Sequence, residues 1–210
     1  MNRVNYDREM SRILEGAKGK KLLLHSCCAP CSSHCLTELA GKIHTTVFYY
    51  NPNLYPEEEY EKRKAEQIRF LRETGLADFL DCDYAAQDFY AIAKGYEGEK
   101  EGGARCLRCF RLRLTRTAEE AKKRGYDYFA TTLTLSPLKN AQKINEIGLE
   151  IEREAGVCYL PSDFKKRDGY LHSLQLSSRY GLYRQNYCGC VYSLRAASET
   201  ERAAEGKKTE

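Results

Sequence analysis

The sequence has no long apolar run, no apolar leader and no strong excess of one charge. No window approaches the roughly 18 apolar residues that a membrane-spanning helix needs, which argues against a membrane protein. The first ten residues, MNRVNYDREM, are polar and charged and do not resemble a secretory signal. We therefore expect a cytoplasmic protein with no membrane association. The net charge of +4 is too small to indicate a partner by itself.

Cysteine, by contrast, is abundant, with ten in 210 residues. In a reducing compartment, cysteines at short spacings indicate metal or redox chemistry rather than a disulfide framework. Seven of them form three groups: Cys27, Cys28 and Cys31; Cys106 and Cys109; Cys188 and Cys190. Seven thiols exceed what one tetrahedral zinc ion can bind. The groups therefore favour two metal centres, or one cluster beside another site.

Strand-like and helix-like segments alternate along the chain. Strands are expected at residues 22–24, 43–50, 79–83, 127–133 and 157–161, with helices between them. This predicts an α/β fold: a Rossmann-like (HUP-type), mostly parallel sheet of about five strands with helices on both faces. A small C-terminal helix-and-loop segment would carry Cys188 and Cys190.

The predicted domain organisation is simple. We expect a polar lead-in over residues 1–20 with one short helix at 7–16, a single α/β metal-binding domain over 21–197, and a disordered tail over 198–210. In parallel sheets, ligands collect at the carboxyl ends of the strands. The first cysteine group and residues 50–55 and 134–140 all follow predicted strands, so we expect them at one edge.

Two other classes of protein fit part of the cysteine pattern. A strand followed by C-x-P-C, as in Cys28 to Cys31, is also typical of thioredoxin-like dithiols, in which the helix lowers the pKa of the first thiol. That interpretation leaves the other thiol pairs unexplained. A zinc-bound structural or RNA-binding module is the second alternative.

The other cysteines and the histidines carry weaker signals. Cys158 and Cys82 are expected to be core residues, since free cysteine is often buried as a small hydrophobe. Cys35 lies one helical turn after Cys31 and could face the site or pack. His25 could donate to a metal or substrate, or could be a satisfied core group. Three histidines show no ligand spacing and are expected at the surface: His34, His44 and His172.

Residues 105–124 carry eight arginines and lysines against two glutamates. On a helix they would form a basic surface beside Cys106 and Cys109, suited to a polyanion. A solvated face balanced by acidic neighbours fits equally well.

Five ordered motifs together resemble the QueH family, the cobalamin-independent epoxyqueuosine reductases. They are HSCCAPC from His25, YNPN from Tyr50, CLRC from Cys106, TLTLSPLKN from Thr132 and YRQNYCGC from Tyr183. The match covers about residues 20–195. The resemblance implies a reductase that converts epoxyqueuosine to queuosine in tRNA, the last step of queuosine biosynthesis.

The resemblance also implies two metal centres. By position, a [4Fe–4S] cluster would be held by Cys27, Cys28, Cys106 and Cys109. A separate mononuclear iron would be held by Cys31, Cys188 and Cys190, which act in catalysis through that iron. Position 31 is cysteine here, where some relatives carry the harder ligand aspartate. The cluster would deliver electrons singly, and an open-sided iron would bind and polarise the epoxide oxygen.

Several residues in the motif loops have donors suited to a ribose-like cyclopentane diol or a phosphate. The candidate substrate-binding residues are Tyr50, Asn51, Asn53, Ser136, Lys139, Arg184 and Gln185. Asn51 and Asn53 would also suit the turn itself. Tyr50, Tyr187 or a bound water could donate protons. The implied partners are tRNA carrying epoxyqueuosine and an unidentified electron donor of the ferredoxin or flavodoxin type.

Overall fold

The structure, a computed structural model, describes residues 4–206. Its sheet has five parallel strands in the order β3-β2-β1-β4-β5. In chain order they are β1 Lys21–His25, β2 His44–Phe48, β3 Asp78–Leu80, β4 Tyr128–Thr131 and β5 Cys158–Tyr159. This is the strand order of a Rossmann-like sheet, and it places the strand that precedes the first cysteine group at the centre. The predicted α/β class is confirmed.

Eight helices surround the strands within residues 4–206. They are α1 Tyr6–Glu15, α2 Ala29–Leu39, α3 Glu57–Thr74, α4 Ala86–Ala93, α5 Ala104–Lys123, α6 Ala141–Ala155, α7 Gly169–Arg179 and α8 Val191–Gly206. A short 3-10 helix, Thr132–Leu135, follows β4.

Local chemistry explains the ends of the best-predicted helices. α3 begins with three consecutive glutamates at the positive end of its dipole and ends at Gly75, which adopts the left-handed conformation. At the start of α6, the side chain of Asn140 accepts a hydrogen bond from the Lys143 amide, and Gly156 ends the helix in the same left-handed way.

The central strand packs against helices on both faces, as predicted. Leu22 and Leu24 lie in one core with residues of α1, α2 and α3, whereas Leu23 lies in a second core with residues of α5 and α6. Alternate residues of a strand point to opposite faces, so a continuous leucine run indicates a strand that is buried on both sides.

The short helix predicted at residues 7–16 is present as α1. Although the lead-in was expected to be polar, α1 buries Tyr6, Met10 and Leu14, because a spacing of four residues puts them on one face. Toward the C-terminus, α7 was not predicted, and α8 extends through Gly206 where a disordered tail was expected from residue 198. Residues 207–210 of that predicted tail lie outside the described residues.

The residues from 4 to 206 include no helix that is both long and apolar enough to cross a membrane.

Candidate metal centre

The first thiol group lies at the carboxyl end of β1. Cys27 and Cys28 follow the strand, and Cys31 lies in the first turn of α2. The three sulfur atoms lie within 4.8 Å of one another, close enough to share one metal. The structure thus confirms that the spacing of this motif brings its thiols together, and the group could hold a metal ion.

Buried hydrogen bonds fix the loop that carries this group. Gln67 of α3 accepts from Ser26 Oγ at 2.7 Å and from Ser32 Oγ at 3.0 Å. Asn51 donates through Nδ2 to the Ser26 carbonyl at 2.8 Å. Gln185 contacts the thiols directly, since its Nε2 donates to Cys28 Sγ at 3.2 Å.

The other four thiols, which we call the second thiol group, come from two segments that are distant in the sequence. Cys106 and Cys109 lie in the first two turns of α5, and Cys188 and Cys190 flank Gly189 just before α8. Cys109 and Cys190 are buried in one apolar cluster with Phe89 and Ala93 of α4. The Gly102 amide donates to Cys106 Sγ at 3.2 Å.

Two adjacent cavities connect the thiol groups. The first, which we call the substrate cavity, has a volume of about 310 Å³ and is lined by Cys27, Cys31 and Cys188. The second, of about 300 Å³, is lined by Cys106, Cys109, Cys188 and Cys190. Cys188, Arg113 and Lys139 line both cavities. Six of the seven thiols predicted as metal ligands therefore line one composite site at the carboxyl edge of the sheet. The seventh, Cys28, lines neither cavity, but its sulfur lies within 4.8 Å of those of Cys27 and Cys31.

The thiols of the first group differ in acidity. Hydrogen bonds from Cys28 and Cys31 hold the pKa of Cys27 well below its ordinary value. The contact with Cys27 raises the pKa of Cys28 to about 12, although the contact with Cys31 lowers it, and the contacts with Cys27 and Cys28 raise the pKa of Cys31 well above its usual range. A thioredoxin-like dithiol uses two thiols. Here the sulfur of a third cysteine, Cys27, lies within 4.8 Å of both, so the geometry does not favour the dithiol alternative.

Two cations, the buried Arg113 and the half-buried Lys139, line both cavities beside the thiols. Arg113 is 2% exposed, its Nη1 donates to Asn51 Oδ1 at 3.3 Å, and its Nε has no hydrogen-bond partner among the described residues. Burial lowers the pKa of Arg113, but the Cys109, Cys27 and Cys188 thiolates outweigh it and raise the pKa overall. Lys139 behaves alike: burial lowers its pKa, and the surrounding thiolates raise it overall.

These cations are an argument for anionic thiols at the site. A buried arginine without a carboxylate partner is unfavourable unless another anion compensates its charge. Within residues 4–206, Arg113 forms no ion pair with a carboxylate. Cys109 and Cys27 lie close enough that their deprotonated thiols would supply that charge. Metal-bound cysteine is deprotonated. The donor set and its counter-ions therefore fit a metal centre of several thiolates.

The predicted substrate-binding residues fall into two sets. Asn53 lines the second cavity, Gln185 and Ser136 line the substrate cavity, and Lys139 lines both. Asn53 Oδ1 and Gln185 Oε1 are buried without a hydrogen-bond partner. These acceptors are available to a ligand.

The remaining predicted residues are already engaged within the chain. Tyr50 donates through its hydroxyl to Asp88 at 2.6 Å. Asn51 is 1% exposed and braces the cysteine loop as described above. Arg184 lies at the mouth of the substrate cavity, where its Nη1 donates to Ser177 Oγ at 3.1 Å.

Several polar residues differ from their sequence expectation. His34 was predicted at the surface but is buried, and its Nδ1 lies 3.0 Å from Nδ1 of His172. Cys158 was predicted in the core but is exposed, because β5 is only a two-residue edge strand. His25 is the satisfied core group, hydrogen-bonded to Thr131 Oγ1 at 2.9 Å.

The basic helix α5 is mostly not a free cationic surface. Arg105 is buried and donates to the Tyr96 and Glu97 carbonyls. Arg111 pairs with Glu150, and Arg124 pairs with Glu120. Arg113 points into the site. Sequence reasoning missed the special position of Arg113, although its spacing four residues after Cys109 puts both on one helix face.

The fold and the site together define a class: a Rossmann-like α/β protein with a cysteine-lined candidate metal centre at the carboxyl edge of its sheet. A family model described as "Epoxyqueuosine reductase QueH" matches residues 22–196. The chain therefore belongs to the QueH family.

Individual relatives agree. The chain is 42% identical over 200 residues to the epoxyqueuosine reductase QueH of Streptococcus pyogenes, covering 91% of this chain and 78% of the relative. The Staphylococcus epidermidis protein of the same name is 41% identical, over 91% of this chain and 85% of the relative. The Thermotoga maritima protein of that name is 40% identical, over 82% of this chain and 90% of the relative.

Proposed function

We propose that this protein reduces epoxyqueuosine to queuosine in tRNA. In this reaction the two C–O bonds of the epoxide break, a C=C bond forms, and the oxygen leaves as water. Two electrons and two protons are consumed. The observation that carries the proposal is the composite site of a QueH-family chain, in which six thiols, the buried Arg113 and the half-buried Lys139 line adjoining cavities. The seventh thiol, of Cys28, lies 3.8 Å from that of Cys27.

We assign the thiols to two centres. Cys27, Cys28, Cys106 and Cys109 would hold a [4Fe–4S] cluster, and Cys31, Cys188 and Cys190 would hold a mononuclear iron. Two observations support this capacity: the donors are thiols from three segments, and Arg113 and Lys139 compensate negative charge between them. When bound, these groups would supply single electrons and a Lewis acid for the epoxide oxygen.

The protein's own residues would bind and orient the nucleoside. Lys139 keeps its ammonium proton at neutral pH because its pKa is raised, so Nζ is a hydrogen-bond donor at the cavity wall. We assign it to the departing oxygen. The unpartnered acceptors Asn53 Oδ1 and Gln185 Oε1 suit the two hydroxyls of a cyclopentane diol. Buried Leu133 and Leu135 give the cavity an apolar, water-excluding wall.

The proposed partners are tRNA carrying epoxyqueuosine and a one-electron carrier of the ferredoxin or flavodoxin type, and the proposed location is the cytoplasm. Epoxyqueuosine tRNA incubated anaerobically with the reconstituted protein and a low-potential reductant should yield queuosine, detected by mass spectrometry of the digested nucleosides.

The variant that best separates the two metal centres is Cys190→Ser. It should abolish turnover while leaving most of the cluster absorbance, because Cys190 is assigned to the second iron and not to the cluster. Cys158→Ser is the matched control, since Cys158 is exposed on the edge strand and lines neither cavity. Full activity of Cys190→Ser would refute the assignment of the second centre.

A further inference from the structure

The mouth of the substrate cavity carries exposed apolar side chains that the fold does not need. Leu138 is 80% exposed, and Tyr170, at the start of α7, is 37% exposed. Both line the same cavity as Arg184, whose guanidinium lies 5.9 Å from the centroid of the Tyr170 ring. We call Leu138, Tyr170 and Arg184 the rim.

The rim differs from the floor of the cavity in chemistry. The floor is formed by buried or half-buried residues that include the thiols of Cys27 and Cys31, together with Arg113. A ligand therefore reacts at the floor and passes the rim on its way in. The cavity volume of about 310 Å³ is at the small end of the range for small-molecule sites. It suits one nucleoside and not a folded RNA loop.

An RNA substrate has to change its conformation to reach this floor. The modified base has to leave its stack and enter the cavity, as in other enzymes that act on a base. Its neighbours then lose a stacking partner. Exposed aromatic rings and arginine planes are the groups that proteins offer to unstacked bases, and apolar side chains can insert beside them.

We propose that the rim is a stacking surface for the unpaired nucleotides that flank the modified base, so that the protein binds RNA loops in preference to paired RNA. This inference rests on the proposed function, which supplies the RNA. Leu138 and the Tyr170 ring would cover the flanking bases.

Charge at the rim is consistent with this occupant. Arg184 is exposed and bonds only to a neutral serine hydroxyl and the Tyr170 ring among its recorded contacts in the described chain. Its charge is thus available to a phosphate. Glu101 also lines the cavity, on the wall that it shares with the second cavity. The basic helix α5 contributes less, since its arginines have partners within the protein.

The test compares two unmodified RNAs on the anaerobically reconstituted protein by fluorescence anisotropy. One is a stem-loop and the other is a fully paired duplex of the same length and base composition. The wild type should bind the stem-loop more tightly. Tyr170→Ala should weaken stem-loop binding by about 5- to 150-fold, the range for loss of one base–aromatic stack. Leu138→Ala should also weaken stem-loop binding, and both variants should change duplex binding by less than about twofold.

Two exposed residues provide matched controls. Leu171 is 53% exposed beside Tyr170 but does not line the cavity, and Tyr90 is a 39% exposed tyrosine on α4. Leu171→Ala and Tyr90→Ala should bind both RNAs like the wild type. The salt dependence gives a second readout. Arg184→Gln should reduce the slope of log affinity against log salt, whereas Leu138→Ala should leave it unchanged.

Three results would overturn the proposal: rim variants that bind the stem-loop like the wild type, rim variants that lose stem-loop and duplex binding equally, or a wild type that does not distinguish the two RNAs. Because both RNAs are unmodified, none of these results depends on turnover. A protein that binds loops through the rim but does not reduce epoxyqueuosine would refute only the proposed function.

Discussion

Gly189 separates the two cysteines of the last thiol pair, and we predict that Gly189→Ala disrupts the metal centre. Its φ of +118° lies in a region that side-chain-bearing residues rarely adopt. A Cβ at this position would lie 2.3 Å from Leu54 Cδ2 and 2.9 Å from Arg63 Nη1. Carbon atoms in contact are normally about 3.5–4.0 Å apart, so the overlap with Leu54 exceeds an ångström.

Neither neighbour can move away easily. Leu54 and Arg63 are each 1% exposed, and Arg63 Nε is held by Glu59 at 2.6 Å. Backbone strain contributes roughly 1–3 kcal/mol and overpacking a similar roughly 1–3 kcal/mol. The free energy of unfolding should therefore fall by about 2–6 kcal/mol, unless the loop shifts and displaces Cys188 and Cys190. In either case the protein should retain less of the second iron.

Urea unfolding of the metal-free chain and iron per chain after reconstitution measure the two effects. Gly181→Ala is the control: Gly181 also has a positive φ, +56°, but no atom lies within 4 Å of its added Cβ. That variant should lose only about 1–2 kcal/mol, the cost of the left-handed conformation, and should keep its iron. The reasoning is refuted if Gly189→Ala matches Gly181→Ala in both measurements.

Three further predictions follow from buried polar groups. Arg113→Gln should lower the midpoint potential of the cluster, because a buried positive charge favours the reduced, more negative state, and Arg113→Lys should restore it. Equal potentials for the wild type and Arg113→Gln in an EPR-monitored redox titration would contradict this. Burial lowers the pKa of His34 from its ordinary value of 6.5. Below pH 6.5 the unfolded chain therefore binds more protons than the folded chain. The free energy of unfolding should fall there by up to about 1.4 kcal/mol per pH unit. His34→Gln should flatten that dependence. A pH profile for His34→Gln parallel to that of the wild type would count against the assignment. Gln67→Leu should cost about 1–3 kcal/mol in urea unfolding, because two buried hydrogen bonds to Gln67 Oε1 are lost, although each serine hydroxyl keeps a backbone carbonyl as acceptor. An unchanged midpoint would show that the network does not hold the cysteine loop.

The sequence predicted those parts of the fold whose signals are local. The leucine run of β1 and the acidic start and glycine stop of α3 are each encoded by a few neighbouring residues. By contrast, α7 buries Gly169, Ser173 and Ser177 toward its neighbours. Without an apolar stripe, such a helix has no hydrophobic periodicity to detect.

The sequence likewise predicted only those parts of the site whose residues are close together along the chain. Cys27, Cys28 and Cys31 meet because they share one loop and one helical turn, a short-range effect. The role of Arg113 was not visible, because in the sequence it is one of many cations on α5. Its burial depends on Asn51, in the loop that follows β2, and on thiols from three segments. The burial of His34 likewise depends on α7, a helix that the sequence did not predict.

The central claim is that the seven thiols hold an iron–sulfur cluster beside a separate iron. The most direct measurement is iron, zinc and acid-labile sulfide per chain on anaerobically purified and reconstituted protein, with Mössbauer spectra to separate the two kinds of iron. A [4Fe–4S] cluster beside a separate iron predicts about four cluster irons, about four sulfides and one distinct iron per chain. Zinc without sulfide would contradict it and would leave a structural zinc module as the better explanation of the thiols.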